Sequence, residues 1–355
     1  LSLDIKSLVL IYSLYIKHYN MNVSLIITTI NRPNINIRSF SKGCKNSNWN
    51  FIVVGDKKTP KNFSLSYGDY FNISEQRKLN FQFAKICPYN SYARKNIGYL
   101  IAFEKKTSFI VETDDDNSPK KNFFKKINIS HKVKSIKNNS WINIYDIFLN
   151  NKIQIWPRGL PLDEINKKKI ILSKKLIKKD FFLQQGVAEG NPDVDAIFRL
   201  LNNKINIKFK NTKVSLSKAI SPFNSQNTIW HKSIFKLMYL PVTCQMRCTD
   251  IWRSLITLKI MQINNFDILF FGTNIFQNRN LHNLMDDFSQ EISLYLDSKK
   301  IYDLLNKVKL KKGFDNFSSN LINCYKILIN NQVFEEEELI FLKAWLKDCE
   351  KINLN

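Results

Sequence analysis

The sequence predicts an α/β domain on a mostly parallel central sheet, followed by a helical C-terminal region. Three observations predict it. Apolar strand-like runs alternate with helix-spaced segments between residues 22 and 111. Polar or acidic residues stand directly at the exits of those runs: Thr28, Thr29 and Asn31 at the first, Asp56 at the second, and Asp114, Asp115 and Asp116 at the third. Ligands of parallel sheets gather at the carboxyl ends of strands, so the three exits point to one place. Beyond about residue 264 the spacing turns helical and the charge clusters, as in residues 335–338.

The elements follow in order. Residues 22–30 read as a buried first strand. Residues 34–43 read as a helix with Asn34 as its N-cap and Gly43 closing it. Residues 50–54 form the second strand, ended by Gly55 and Asp56. Residues 93–103 have helical spacing and lead to the strand at 109–111. From 118 to about 235 loops and short strands prevail, with a Gly/Pro-rich loop at 184–195 feeding a helix at 196–201. Residues 240–260 begin extended and become helical after Thr249. Residues 281–310 and 317–346 complete the helical tail. The expected division is an upstream extension at 1–20, ahead of Met21, an α/β domain at 21–262 and a helical appendage at 263–355.

Composition narrows the function. The 355 residues carry a formal charge of +24, and 44 % are hydrophobic. Such a charge attracts nucleic acid, anionic membranes or anionic substrates. Here it comes from Lys dispersed among Asn and Ile, the flavour of an AT-rich genome, and no nucleic-acid-binding signature occurs, so nucleic acid is not expected. The densest basic runs, 120–137 and 167–179, are either solvated faces or contacts with an anionic membrane surface or a polyanionic acceptor. Four His and six Cys show no metal-type pairing, which argues against a zinc enzyme or a His-centred hydrolase. Dispersed cysteines fit a reducing compartment. A cytoplasmic location, with contact at the inner membrane face, is the expectation. No apolar run reaches the eighteen residues of a membrane span.

The triple aspartate carries the strongest chemical signal. Three adjacent carboxylates repel one another unless a cation neutralises them, and hard oxygen ligands at a strand end suit Mg²⁺ or Mn²⁺ with phosphate oxygens completing the shell. Asp114 and Asp116 share one face if the strand continues; a turn favours Asp115 and Asp116. Arg94, Lys95 and Asn96, with Gly98, open the preceding helix, where backbone N–H groups and basic side chains suit a diphosphate. Asp56 ends the second strand, where a turn-forming Asp-Lys is one account of it. Asp250, one residue after a Thr249 cap, sits in the first helical turn between Arg247 and Arg253, either to complement the helix dipole or to do chemistry. Asp193 and Asp195 compete for the chemical role. The turn at Trp156, Pro157, Arg158 and Gly159 is either a substrate contact or a rigid turn, and Trp230 and Trp252 either stack on a sugar or pack in the core.

The segments VVGDKKTP (53–60), YNSYARKNIGYLIA (89–102), VETDDDN (111–117), IWPRGLPL (155–162), QQGVAEGNPDVDAIFRL (184–200) and LPVTCQMRCTDIWRSL (240–255) resemble, in order, the STELLO-type glycosyltransferases. A more distant likeness is to the reversibly glycosylated polypeptides, which are UDP-arabinopyranose mutases. The resemblance covers about residues 21–260. It implies a GT-A fold, a metal-binding DXD-type element at Asp114–Asp116, Asp56 at the nucleoside base or ribose, a general base at Asp250 with Arg247 and Arg253 facing the leaving diphosphate, a nucleotide-sugar donor, UDP-linked by preference, and a glycan, lipid or protein acceptor. A sugar-nucleotide mutase and a non-catalytic partner protein keeping the same fold are the alternatives.

Overall fold

The structure is a computed structural model that describes residues 22–149, 154–166, 169–202, 206–280 and 283–352; the expected extension at 1–20 lies outside them. Its elements are β1 (Val23–Thr29), α1 (Ile35–Ser47), β2 (Asn50–Gly55), β3 (Asp69–Phe71), α2 (Ile73–Lys78), α3 (Gln82–Ile86), α4 (Lys95–Glu104), β4 (Phe109–Thr113), β5 (Asn117–Pro119), β6 (Ser130–Ser135), α5 (Tyr145–Phe148), β7 (Ile177–Asp180), β8 (Leu183–Gly190), α6 (Ala196–Leu201), β9 (Lys213–Leu216), β10 (Asn227–His231), α7 (Thr249–Ile263), β11 (Ile268–Gln277), α8 (Leu284–Lys307), α9 (Phe317–Asn330) and α10 (Glu338–Lys351).

The strands form one sheet in the order β3-β2-β1-β4-β10-β8-β11-β9-β6-β7, with β5 on the second half of β11. The expected parallel arrangement holds from β3 to β4. β10 then runs antiparallel between β4 and β8, and β11 runs parallel to β8. As a result β1, β2, β4, β8 and β11 all end at one edge, and β10 begins there. More strand exits therefore converge at this edge than the three the sequence suggested.

Each face of the sheet has its own core. Ile37, Phe40 and Cys44 of α1 pack with Val23, Leu25 and Ile27 on one face. Ile97 and Leu100 of α4 pack with Ile26 and Ile52 on the other, together with α7. Full burial of one such aliphatic side chain stabilises by about 1.5–3 kcal/mol. Asn34 does cap α1, accepting from Ile37 N. Gly43 does not end that helix, which continues to Ser47 and stops at left-handed Asn48 (φ 55°). Gly98 serves packing rather than a ligand: a Cβ there would lie 2.7 Å from Ile26 Cγ2.

The C-terminal region differs most from expectation. Residues 268–277, read as part of a helical appendage, form β11, a central strand between β8 and β9. Both-face burial makes such a strand a continuous apolar run, which periodicity does not separate from a helix. The run 317–346 is two helices, broken around Gln332 (φ 59°). The tail is also docked. Trp345 is fully buried against Phe103 (5.5 Å), and Glu338 accepts from Val242 N (3.0 Å) and Thr243 N (2.7 Å). Among the described residues no helix is long and apolar enough to cross a membrane.

Candidate functional site

After β4 the chain turns, with Asn117 N donating to Asp114 O at 3.2 Å. The three carboxylates consequently fan out, each to its own partners. Asp114 Oδ1 accepts from Lys95 Nζ (3.0 Å) and Tyr92 OH (2.9 Å). Asp115 Oδ2 accepts from Thr29 Oγ1 (2.6 Å) and Asn31 Nδ2 (3.0 Å), and its carbonyl from Asn34 Nδ2 (2.7 Å). Asp116 Oδ2 accepts from Gln277 Nε2 (2.9 Å), and Asn278 N donates to its carbonyl. Burial raises Asp114 above the usual carboxylate range, with Lys95 opposing. Burial, followed by the charges of Asp114 and Asp115, pushes Asp116 up to about 6. No cluster of three or more His, Cys, Asp or Glu arranged to hold a metal occurs among the described residues.

Buried polar atoms without partners collect here. Asp116 Oδ1, Asn117 Oδ1, Asn227 Oδ1, Gln277 Oε1 and Arg279 Nη1 all lack a hydrogen bond. All five belong to the ends of β4, β10 and β11 at the convergent edge or to the residues just beyond them. Folding normally satisfies such groups, and leaving one unmade costs about 1–3 kcal/mol. Five of the eight such atoms among the described residues lie at this one strand edge, where a ligand or ordered water would complete them.

A second constellation adjoins the first. Arg158, 6 % exposed, makes a bidentate pair with Asp193 (Nε–Oδ1 2.8 Å, Nη2–Oδ2 2.9 Å) and also donates to both oxygens of Asp250 (3.1 and 3.2 Å). Asp250 Oδ2 accepts further from Ser225 N and Oγ. Ser225 Oγ meets Tyr92 OH, so one chain of hydrogen bonds runs from Asp193 to Asp114. Burial alone would raise Asp193; the Arg158 guanidinium overrides it and holds the group below the usual range.

Several expected residues are placed elsewhere. Arg94 is not at the ligand edge: it is 2 % exposed and spends its guanidinium on Gln76 Oε1, Cys87 O and Pro88 O. Asn96 pins Leu240 through both amide groups (2.8 and 2.9 Å). Asp56 closes a turn on Lys57 N and holds Ser91 N. Asp195 caps α6 through Phe198 N and accepts from Trp156 Nε1. Thr249 is the first residue of α7 rather than its cap. The two arginines flanking Asp250 in sequence turn from it. Arg247 reaches Glu291 (2.8 Å) on α8, and Arg253 reaches Glu112 (2.8 Å) in the core. Trp230 donates to that same Glu112, and Trp252 is buried, so both are packing residues. Thr28 ends half-buried beside Thr29, and Lys95 and Thr29 do reach the triple aspartate.

Arg94→Ala is accordingly expected to lower stability by about 1.5–3 kcal/mol, by stranding the buried acceptors Gln76 Oε1 and Cys87 O and the half-buried Pro88 O, with donor affinity unchanged. Urea unfolding and ligand titration of the folded variant measure the two separately. A variant of parental stability with weakened binding would return Arg94 to the ligand.

Arg158, read from sequence as part of a turn that is either a substrate contact or rigid, ties Asp193 to Asp250, and Tyr92, Glu112, Ser225, Gln277 and Arg279 complete the region without having been assigned a chemical role from sequence. Tyr92 stands one helical turn before Lys95, a usable signal. Glu112 was visible as a lone carboxylate inside an apolar strand. Gln277 and Arg279 were hidden when β11 was taken for part of a helical tail.

A family model described as STELLO glycosyltransferases matches residues 247–355, the stretch running through α7, β11 and the tail helices. The chain is 25 % identical over 324 residues to the Arabidopsis thaliana protein named "Probable glycosyltransferase STELLO1", covering 84 % of this chain and 41 % of that one. It is 24 % identical over 327 residues, with the same coverage, to "Probable glycosyltransferase STELLO2" of that organism. The chain thus spans less than half the length of the curated relatives it matches. The motif order and these matches agree: the chain is similar to STELLO-type glycosyltransferases.

Proposed function

We propose that this chain is a metal-dependent glycosyltransferase with a GT-A-like domain that binds a nucleotide-sugar, UDP-linked by preference, at the convergent strand edge and passes the sugar to a hydroxyl of a glycan, lipid or protein. The observation that carries the reading is the set of five unpartnered buried polar atoms around Asp116. Kinship with named glycosyltransferases supports the reaction class.

The residues fit a divalent ion held with its ligand. Asp116 offers an unpaired carboxylate oxygen, and Asp114 is half-buried beside it. Mg²⁺ usually takes one or two carboxylates and completes its shell with phosphate and water, so a cage of three is not needed. When bound, such an ion neutralises charge gathering on the diphosphate as the glycosidic bond breaks. The protein's own part is preorganisation. Lys95 holds Asp114 in place and is itself fixed by Tyr92 OH (2.9 Å) and Thr113 O (2.9 Å). Thr29 and Asn31 orient Asp115. Peripheral contact of the basic runs with an anionic membrane, on the cytoplasmic side, belongs to the same proposal.

One observation favours a second reading. Both oxygens of Asp250 and of Asp195 are engaged, so neither is free to take an acceptor's proton in this arrangement. A sugar-nucleotide mutase rearranges its donor without an external acceptor and needs no such base.

The test is thermal unfolding with UDP-, GDP- and CDP-sugars, with Mn²⁺ and then with EDTA. One nucleotide class is expected to raise the midpoint with Mn²⁺ only, by mass action. No shift with any of them overturns the donor site. A rearranged nucleotide-sugar formed without acceptor selects the mutase.

A further inference from the structure

The three orphaned atoms nearest the end of β11 differ in kind, and the difference specifies a ligand. Asp116 Oδ1 and Gln277 Oε1 accept; Arg279 Nη1 donates and carries charge. A lone anion would satisfy Arg279 and leave Asp116 worse off. A lone cation would do the reverse. A phosphate-bearing ligand with its divalent ion satisfies both kinds of group at once.

The surroundings of Arg279 narrow this further. Its side chain is 9 % exposed, and Nη2 pairs with Asp287 of α8. Arg247 approaches the same Asp287 (3.7 Å) and pairs with Glu291. Arg199 spends its donors on Asn191, Val194 and Pro192 of the preceding loop. Three guanidinium groups thus lie close enough to feel one another's charge, and of these Arg279 has a buried η nitrogen without a hydrogen bond. Burial, and then the Arg247 charge, weaken its hold on its proton, and an arriving anion would oppose both effects. The residues just before it already grip Asp116: Gln277 through its side chain and Asn278 through its N–H.

We infer that Arg279 receives the diphosphate of the donor, and that Asp287 of α8 holds it in position to do so. The inference rests on the donor-site reading and adds to it a named diphosphate residue and a task for the tail: α8 is a working wall of the site. A guanidinium suits the role because its planar fork matches phosphate oxygens, whereas an ammonium offers a point charge.

The test uses the whole chain and two variants, Arg279→Gln and Arg279→Lys. Titration calorimetry with UDP, GDP, CDP and inorganic pyrophosphate, each with Mg²⁺, is read beside thermal unfolding without ligand. For every probe the parent binds, Arg279→Gln is expected to weaken affinity at least about tenfold, as for a lost charge-assisted hydrogen bond, and Arg279→Lys less. Affinity for the matching nucleoside, lacking phosphate, is expected to stay unchanged. Equal diphosphate affinity in folded variants overturns the inference and leaves the donor site standing. Loss of the folded state in both variants also overturns it, making Arg279 a structural tie to α8. A parent that binds none of the four probes overturns the donor site and this inference together.

Discussion

Asp116→Asn is expected to abolish Mn²⁺-dependent donor binding and to lower transfer at least about 10²-fold, while making the ligand-free protein more stable. The opposite signs come from one cause. Asp116 is 7 % exposed, and burial with the neighbouring charges of Asp114 and Asp115 raises it to about 6. A carboxyl whose folded value is raised loses stability as pH climbs from the usual carboxylate range through that value. At neutral pH the ionised group therefore costs the ligand-free fold up to about 3 kcal/mol. Asparagine removes the charge, and its oxygen can still accept from Gln277 Nε2, but its NH₂ then stands where the unpaired Oδ1 awaits a cation. Urea unfolding and thermal shifts with Mn²⁺ and the nucleotide-sugars measure both halves. A variant that is less stable yet binds its donor with full metal dependence would remove Asp116 from the site.

Much of this arrangement was legible in sequence because strand exits are local features. Val23–Thr29, Asn50–Gly55 and Phe109–Thr113 are short apolar runs, and their polar exits are read directly; Thr29, Asn31, Lys95 and the triple aspartate meet as those exits suggest. What sequence did not show is how a side chain is used once nonlocal partners arrive. Arg94 and Lys95 are adjacent, but 3.6-residue periodicity sends one to Gln76 of α2 and the residues just after α3, and the other to Asp114. Arg247 and Arg253 flank Asp250 along the chain and turn instead to α8 and β4. The arginine that does meet Asp250, Arg158, lies 92 positions away. β11 was hidden for a different reason: a strand buried on both faces has no alternation to detect, and with it went Gln277 and Arg279.

That distant partner sets the other large effect. Arg158→Met is expected to destabilise the fold by about 3–5 kcal/mol, because it strands two buried carboxylates, Asp193 and Asp250. The loss is expected to grow with pH as the stranded groups ionise. In the parent, Asp193 behaves oppositely: its lowered value contributes stability above the usual carboxylate range, lost as pH falls through the folded value. Adding Asp250→Asn and Asp193→Asn to Arg158→Met should recover part of the loss, since removing a whole ion cluster costs less than removing one member. The same series decides what Asp250 does. A general base that only takes a proton leaves Asp250→Asn as stable as the parent with transfer down about 10²–10⁴-fold. A positioning residue leaves it less stable, because the amide keeps one acceptor and turns a donor toward either Arg158 or Ser225 where an acceptor is needed, loosening the chain from Ser225 through Tyr92 to Lys95 and Asp114. The engaged oxygens of Asp250 favour the second outcome. Parental stability in Asp250→Asn with transfer lost would restore it as the base, and full stability in Arg158→Met would show that the cluster is not the tie described.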